Sequence, residues 1–238
     1  YYWQAFGNAY NPNTSSGSTD FAVGALVGNS TDNRDVTGMP FQPDLVIARK
    51  TSAGSTIFRT SEHVGDSSST LSATSDGANM IQSFSADGFQ LGNPTTLNTL
   101  SNVTYWISFK KGTNLSIGSY TGNGVADRDI STPGFQPDLV WIKHTSTQVP
   151  IQRSSSLSGD TSQGFTAMAN VSDRIKSLTS TGFTLGTTGV NSSGNNYRYI
   201  AWRIPPSGSL GVGLVDSGGS TVSAPSFNLA SLGFLFEC

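Results

Sequence analysis

The most apolar parts of the chain are two short runs in which hydrophobic residues follow one another without alternating with polar ones. They are "DLVIARK" (44–50) and "DLVWIKH" (138–144). A short run of this kind is typical of a strand that is covered on both faces, in the middle of a sandwich. Each run follows a proline, which fixes φ and has no N–H to donate, and therefore belongs at a strand entrance. We predict a central core strand at both places.

Further short strands flank these two runs. After each run come polar residues and then a second apolar stretch, which predicts a hairpin. "GFQLG" (88–92) and "GFTLG" (182–186) alternate apolar and polar residues between glycines, as a half-buried strand does. Aromatic-rich strands are predicted at "TYWISFK" (104–110) and "YRYIAWR" (197–203).

The pattern occurs twice because the sequence is duplicated. "FQPDLV" stands at 41–46 and again at 135–140, which gives an offset of 135 − 41 = 94 residues. Many other positions match at this offset, which slips by one, to 199 − 106 = 93, at the last aromatic strand. Copy one covers about 21–111 and copy two about 114–206. A period of this length equals a whole small β domain rather than a solenoid or propeller repeat.

The chain is therefore predicted to be all-β, with two tandem, similar β-sandwich domains of jelly-roll-like type. Each copy is expected to have its own core, with Phe41 and Phe135 packed beneath the central strands. The junction "KKGTNLS" (110–116) is short and polar, so the two domains are expected to sit close together.

Segments at both ends fall outside the duplication. The arm at 1–20 contains "YYWQAF", which looks like a third copy of the closing aromatic strand. It either packs on its own chain, which we favour, or completes a sheet in a neighbouring subunit. The tail at 207–238 has two further strand-like stretches, and its "LGFLFEC" is apolar enough to predict burial in an interface. A symmetric homo-oligomer assembled through these ends is expected.

Composition and charge narrow the class of protein. Of the 238 residues, 12% are charged, with a formal net charge of −2 and no basic stripe, which disfavours nucleic-acid binding. No apolar run approaches the roughly 20 residues that a membrane helix needs. The one cysteine, Cys238, leaves no internal disulfide, so core burial alone must hold the fold.

Catalytic chemistry is not indicated by the two histidines, His63 and His144. "SEHVGD" (61–66) brings Ser, Glu, His and Asp together, but members of a catalytic triad usually come from distant segments. We expect a solvated loop histidine at His63. Glycosidase chemistry needs two facing carboxylates, and nothing recommends Asp87, Glu62 or Asp66 for that role. No catalytic residue is assigned, and the chain is not predicted to be an enzyme.

Two equivalent loops, "GNSTDNRD" (28–35) and "GNGVADRD" (122–129), combine Gly, Asn and Asp as calcium-binding loops do. Calcium stays possible, but the EF-hand spacing is absent and each loop carries an arginine that repels a cation. A structural turn held by an Arg–carboxylate bond is preferred. The residues of this turn are Arg34 with Asp35, and Arg128 with Asp129.

Arg59 and Arg153 also occupy equivalent positions, each followed by a Gly-Asp pair that ends in Asp66 or Asp160. Because charged residues are scarce, we expect each arginine to pair with this aspartate across the loop. That role would again be structural.

The motifs "GFQPDLVWIK" (134–143), "GFTLG" and "YIAWR" resemble a domain that recurs in tail-fibre and other virion proteins of tailed, often marine, bacteriophages. Copy one shows them as "PFQPDLVIARK", "DGFQLG" and "YWISFK". The resemblance implies a non-enzymatic virion structural protein: a fibre, an appendage, or a capsid or tail decoration subunit on the virion surface. Its partners would be itself and other virion proteins, and no cofactor is implied.

A glycan- or receptor-binding adhesin module is the alternative, with a host surface glycan as partner. β-Sandwiches can stack sugars on exposed aromatic side chains, although aromatic residues at strand spacing more often belong to the core. The candidate platforms are Trp3, Trp106, Trp141, Tyr197 and Tyr199. A depolymerase-type enzyme ranks last.

Overall fold

The computed structural model describes residues 20–204, except residues 53, 93–95 and 188, and these residues form sixteen β-strands. The strands of copy one are β1 (Phe21–Val27), β2 (Arg34–Val36), β3 (Leu45–Lys50), β4 (Ile57–Thr60), β5 (Ser69–Thr70), β6 (Ile81–Ser85), β7 (Gly88–Leu91) and β8 (Val103–Phe109). The strands of copy two are β9 (Leu115–Thr121), β10 (Arg128–Ile130), β11 (Leu139–His144), β12 (Ile151–Ser154), β13 (Gln163–Gly164), β14 (Ile175–Thr179), β15 (Gly182–Leu185) and β16 (Asn196–Trp202).

The two copies build the same pair of antiparallel sheets. Copy one has a large sheet in the order β1-β8-β3-β4-β5 and a small sheet in the order β2-β7-β6. Copy two repeats both, as β9-β16-β11-β12-β13 and β10-β15-β14. The start of β11 follows that of β3 by 139 − 45 = 94 residues, and the last strand shows the offset of 196 − 103 = 93. The predictions of an all-β fold and of two tandem β-sandwiches are confirmed.

Each copy buries an apolar layer between its own large and small sheets. In copy one, Val46 of β3 belongs to the same buried cluster as Phe89 of β7. In copy two, Val140 of β11 and Phe183 of β15 form the corresponding cluster. Each copy therefore has its own core, as the sequence predicts.

A third core lies between the two large sheets and is shared by the copies. Leu45 and Ile47 of β3 pack in one cluster with Leu139 and Trp141 of β11, and Trp202 of β16 joins them. Alternate residues of β3 and β11 thus point into two different cores, which confirms the prediction of strands covered on both faces. The second face of each of these strands packs against the other copy. The molecule is a stack of four layers, small–large–large–small.

The repeated "FQPDLV" motif anchors the chain where it leaves the closing strand. Phe41 and Phe135 are both buried, and Phe41 belongs to the same cluster as Val46 of β3. The Asp44 carboxylate accepts a hydrogen bond from the Lys111 backbone N–H at 3.0 Å. The equivalent Asp138 accepts one from the Ile204 N–H at 2.7 Å. The aspartate of the motif therefore caps a distant segment of chain in each copy.

The aromatic closing strands β8 and β16 lie inside the large sheets, between β1 and β3 and between β9 and β11. In each copy a glycine of the first strand pairs with an aromatic residue of the closing strand, Gly24 with Trp106 and Gly118 with Tyr199. The ring covers the glycine so closely that an added Cβ would collide with it. Residues 1–19 and 205–238 lie outside the described residues. The predicted roles of the arm at 1–20 and of the tail at 207–238 therefore stay predictions.

Candidate functional site

The junction between the copies contains a directed chain of hydrogen bonds that begins at His63. The Thr60 backbone N–H donates to His63 Nδ1 at 3.1 Å, so the proton of the neutral ring sits on Nε2. Nε2 lies 2.9 Å from Ser69 Oγ, and Ser69 Oγ donates to Asp76 Oδ1 at 2.5 Å. His63 is buried rather than solvated, which corrects the expectation of an exposed loop histidine. Burial, with Arg198 and Arg59 nearby, lowers the pKa of His63 to about 3.

This chain of bonds crosses from copy one to copy two at Asp76. Asp76 Oδ2 forms an ion pair with Arg198 of β16, and both side chains are mostly buried. Arg198 Nε also donates to the Glu62 carbonyl oxygen at 3.3 Å, and the Asp76 N–H donates to the Thr145 carbonyl at 3.1 Å. The loop that contains Asp76 is therefore fastened onto the large sheet of copy two.

Lys143 of β11 is the second buried cation of the junction. Its ammonium donates to the carbonyl oxygens of Thr74 at 2.8 Å, Ser146 at 2.8 Å and Gln148 at 3.4 Å. Burial lowers the pKa of Lys143 to about 8, although Asp76 acts in the opposite direction. The bond to Thr74 again joins copy two to the loop of copy one.

The cluster of His63, Ser69 and Asp76 has the residue types of a hydrolase triad but not its hydrogen-bond order. The serine hydroxyl donates to the carboxylate, and Ser69 is fully buried, so its oxygen is neither activated nor accessible. The arrangement holds the two copies together. It was missed in the sequence, yet the duplication offers a signal: the positions equivalent to these three residues in copy two carry other residues. The replacements are Leu157, Gln163 and Asn170.

The repeated arginines Arg59 and Arg153 are buried and surrounded by backbone oxygens. The guanidinium groups donate to the carbonyls of His63, Gly65, Ser67 and Ile81 in copy one, and of Leu157, Gly159, Thr161 and Ile175 in copy two. The predicted pairing with Asp66 and Asp160 is wrong. These carboxylates accept the backbone N–H groups of Asn79 and Asp173 instead. A guanidinium with several donors satisfies carbonyls of a curved loop that a strand ladder cannot reach.

The arginines of the two Gly/Asn/Asp loops also donate hydrogen bonds to oxygen atoms other than those of the predicted carboxylates. Arg34 donates to the Val27 carbonyl at 2.6 Å and to the Asn98 side-chain oxygen at 3.0 Å. Arg128 makes the equivalent bonds at 2.6 Å and 3.1 Å. Asp35 and Asp129 lie on the small sheets, where they accept from Gln90 and Thr184 respectively. The predicted Arg–Asp partners are therefore wrong, and the arginines tie the loop to the end of the first strand.

Three of the aromatic side chains considered as sugar-binding platforms are buried in the core. Trp141, Tyr197 and Tyr199 are core residues, because they lie on the faces of β11 and β16 that pack against other layers. Trp106 is half-buried, with its ring 5.5 Å from that of Phe89 in an edge-on contact. The prediction that these side chains offer exposed platforms is wrong for the three core residues. Trp3 lies outside the described residues.

The part of the chain that the structure describes offers no cluster of metal-ligating side chains. No group of three or more His, Cys, Asp or Glu side chains there could hold a metal ion. Among the carboxylates considered from the sequence, Glu62 accepts from Ser119 at 2.7 Å and Asp87 from Ser85 at 3.4 Å. Nor does any helix of the described residues have the length and apolar character needed to cross a membrane.

An open groove of about 260 Å³ lies between the copies, and we call it the inter-copy groove. Its lining includes Arg49, Ser55, Thr56 and Ser72 of copy one and Gln152 and Phe165 of copy two. The equivalent positions of the duplication line a space of only about 10 Å³, where Lys143 stands for Arg49, Pro150 for Thr56, Phe58 for Gln152 and Leu71 for Phe165. One side of the junction is closed and the other is open.

Comparison with known proteins gives one family match. A family model described as a domain of unknown function, DUF7483, matches residues 110–234, which include copy two of the repeat. No curated protein and no solved structure matches the chain significantly.

Proposed function

We propose that this chain, which belongs to the DUF7483 family of domains of unknown function, is a non-enzymatic structural protein of a bacteriophage virion. In this role it is a fibre, an appendage, or a capsid or tail decoration subunit on the particle surface. The observation that carries the proposal is the shared central core, which joins two equivalent sandwiches into one four-layered body.

The use of the polar side chains supports a structural role. Residues preserved between the copies, such as Arg59 and Arg153, bind carbonyl oxygens of their own loops. Residues that differ between the copies, such as Asp76 and Arg198, fasten one copy to the other. A particle component exposed to the environment needs a body that stays folded, and here the apolar layers and buried polar bonds supply that stability.

The proposed partners are further copies of this chain and other virion proteins, reached through the segments 1–20 and 207–238. The apolar "LGFLFEC" at the end of the sequence suits an interface between copies. A formal net charge of −2 gives no attraction to nucleic acid or to an anionic membrane surface.

Oligomeric state and particle composition together test this proposal. Light scattering of the full chain is expected to give a symmetric oligomer, and deletion of 1–20 or of 207–238 is expected to reduce it to smaller species. Mass spectrometry of purified virions whose genome encodes the chain is expected to find it as a stoichiometric component. A monodisperse monomer, or particles that lack the chain, would contradict the proposal.

A second candidate function, a glycan-binding module, is favoured by the inter-copy groove. The groove combines a cation, several hydroxyl groups, an amide and an aromatic side chain in about 260 Å³. A glycan array probed with the full chain tests this candidate, and an array without hits would contradict it.

A further inference from the structure

We propose that the aromatic segment at 1–6 docks on an exposed apolar patch of copy one in the same chain. The patch lies on two neighbouring strands of the large sheet, and we call it the β1–β8 patch. Its residues are Ala25 and Val27 of β1, and Val103 and Tyr105 of β8. This inference goes beyond the virion role and does not rest on it, so the two can fail separately.

The β1–β8 patch is one continuous surface. Ala25 pairs with Tyr105 and Val27 with Val103, and residues directly opposite each other in an antiparallel pair point to the same face. Ile107 lies two positions from Tyr105 on β8, hence on that face, and packs against the core shared with copy two. The patch therefore continues the face that meets copy two, but Val27 is 58% exposed and Tyr105 52%.

The duplication shows how the same surface is built in copy two. The positions equivalent to the β1–β8 patch there carry Ser119, Thr121, Asn196 and Arg198. The first three are also exposed, so polar side chains meet the water, while Arg198 pairs with Asp76 of copy one. A surface that is exposed in both copies and apolar only in copy one indicates a docking site for an apolar segment.

Copy two does not supply this segment to copy one. Its loop at 155–173 is equivalent to the loop of copy one that contains Asp76, but Asn170 stands at the position of Asp76 and is exposed. Tyr105 stands at the position of Arg198, and a neutral amide and a tyrosine cannot form the ion pair. The loop of copy two therefore leaves both the inter-copy groove and the patch open.

The chain before β1 contains a segment of the required character. Residues 1–6 read "YYWQAF", and aromatic side chains of this kind pack well against valine and tyrosine. The segment is joined to β1, which itself carries half of the patch. In copy two, β9 follows β8 after only the residues 110–114, which leaves no such segment there. The apolar patch and the aromatic segment thus occur together, in copy one.

The linker between the segment and β1 has the length that docking on the same chain needs. Residues 7–19 are mostly Gly, Asn, Ser and Thr, and a flexible chain of this length has an end-to-end distance of about 20 Å. The path along β1 from Phe21 to Val27 is also about 20 Å. A linker that matches its span gives the highest effective concentration, which favours the patch of the same chain over that of a neighbouring copy.

Docking on the same chain is compatible with assembly through 1–20. Alternate side chains of an extended segment point to opposite sides. Tyr1, Trp3 and Ala5 can therefore cover the patch while Tyr2 and Phe6 face a neighbouring copy.

Fluorine NMR of the full chain labelled with 5-fluorotryptophan tests the inference. The chain has four tryptophans, and Trp3→Phe identifies the signal of Trp3. Trp141 and Trp202 belong to the shared core and give the linewidth of a rigid side chain. We expect the same linewidth for Trp3, because a docked segment tumbles with the body. A free terminus moves on the nanosecond timescale and would give a line several-fold narrower.

A patch variant places the docked segment. Val27→Thr combined with Tyr105→Arg installs the residues that copy two has at these positions, and is expected to make the Trp3 line several-fold narrower. The matched control is Val125→Thr combined with Val64→Arg, since these residues are exposed and lie outside the patch. It is expected to leave the Trp3 line unchanged. Unchanged signals of the two core tryptophans show that each variant is folded.

A mixing experiment separates the two possible sources of the segment. The fluorinated patch variant is refolded together with an excess of the unlabelled, unchanged chain. If each segment docks on its own chain, the Trp3 line of the variant stays narrow. A broad line would place the segment on the patch of a neighbouring copy and would overturn the inference.

A narrow Trp3 line in the unchanged protein would also overturn the inference, as would a broad line that survives in the patch variant. None of these outcomes would alter the light-scattering and particle tests of the virion role.

Discussion

At the scale of single residues, burial decides what each polar side chain does. His63 has no counterpart histidine in copy two, and its ring is a neutral link between a backbone N–H and Ser69. A protonated ring would lose the acceptor at Nδ1 and would add a further cation beside Arg198 and Arg59 in a buried site. The fold therefore tolerates His63 only in the neutral state, which makes stability depend on pH.

The free energy of unfolding is expected to fall as the pH decreases from 6.5 towards 3. The pKa of His63 is about 3 in the folded chain and about 6.5 in an unfolded one, so between these values only the unfolded chain holds the proton. The loss is up to ~1.4 kcal/mol per pH unit. His63→Leu copies the residue that copy two has at this position, Leu157, and is expected to remove this part of the pH dependence.

Urea denaturation of both proteins between pH 6.5 and 5 measures the difference in slope. The comparison with the variant separates His63 from the other titrating groups, which both proteins share. Identical slopes in the two proteins would show that His63 is not held neutral.

At the scale of single elements, the strands were predictable and the partners of their polar residues were not. The runs at 44–50 and 138–144 become β3 and β11 because a continuous apolar run fits a strand with two covers. Arg34 and Asp35 are neighbours in sequence, yet adjacent residues of a strand point to opposite faces, so they cannot pair. Arg34 instead meets Asn98, a residue that only the folded sheet brings near. The local sequence around Arg34 therefore does not show that Asn98 is its partner.

A valine at Gly118 is expected to destabilise the protein by about 1–3 kcal/mol, the usual cost of overpacking. Gly118 lies in β9 under the ring of Tyr199, where an added Cβ would collide with the ring. Ser119→Thr is the matched control, because it adds a β-branched methyl group at the next residue, whose side chain points to the opposite face and is exposed, and it keeps the hydroxyl that donates to Glu62. Urea denaturation compares the two variants, and equal stabilities would show that the ring does not require the glycine.

At the scale of the whole molecule, the duplication predicted two sandwiches but not how they combine. The residues of β3 and β11 are apolar on both faces, so each strand must pack against a layer on either side. The sequence does not show which part of the protein forms the second layer. That layer is the other copy, because the large sheets meet through Ile47, Trp141 and their neighbours. The groove was equally hidden, since it results from differences between the copies at positions far apart in sequence. Departures from a repeat are therefore as informative as its matches.

The central claim is that the shared core makes the two copies one cooperative unit. It is tested most directly by native-state amide hydrogen exchange of the full chain carrying Phe89→Ala. Phe89 belongs to the core between the sheets of copy one, and its loss is expected to cost about 3–5 kcal/mol. If the copies unfold together, the slowest amides of β11 and β16 in copy two lose as much protection as those of β3 and β8. If β11 and β16 keep the protection of the unchanged protein while β3 and β8 lose theirs, the copies are independent and the claim is wrong.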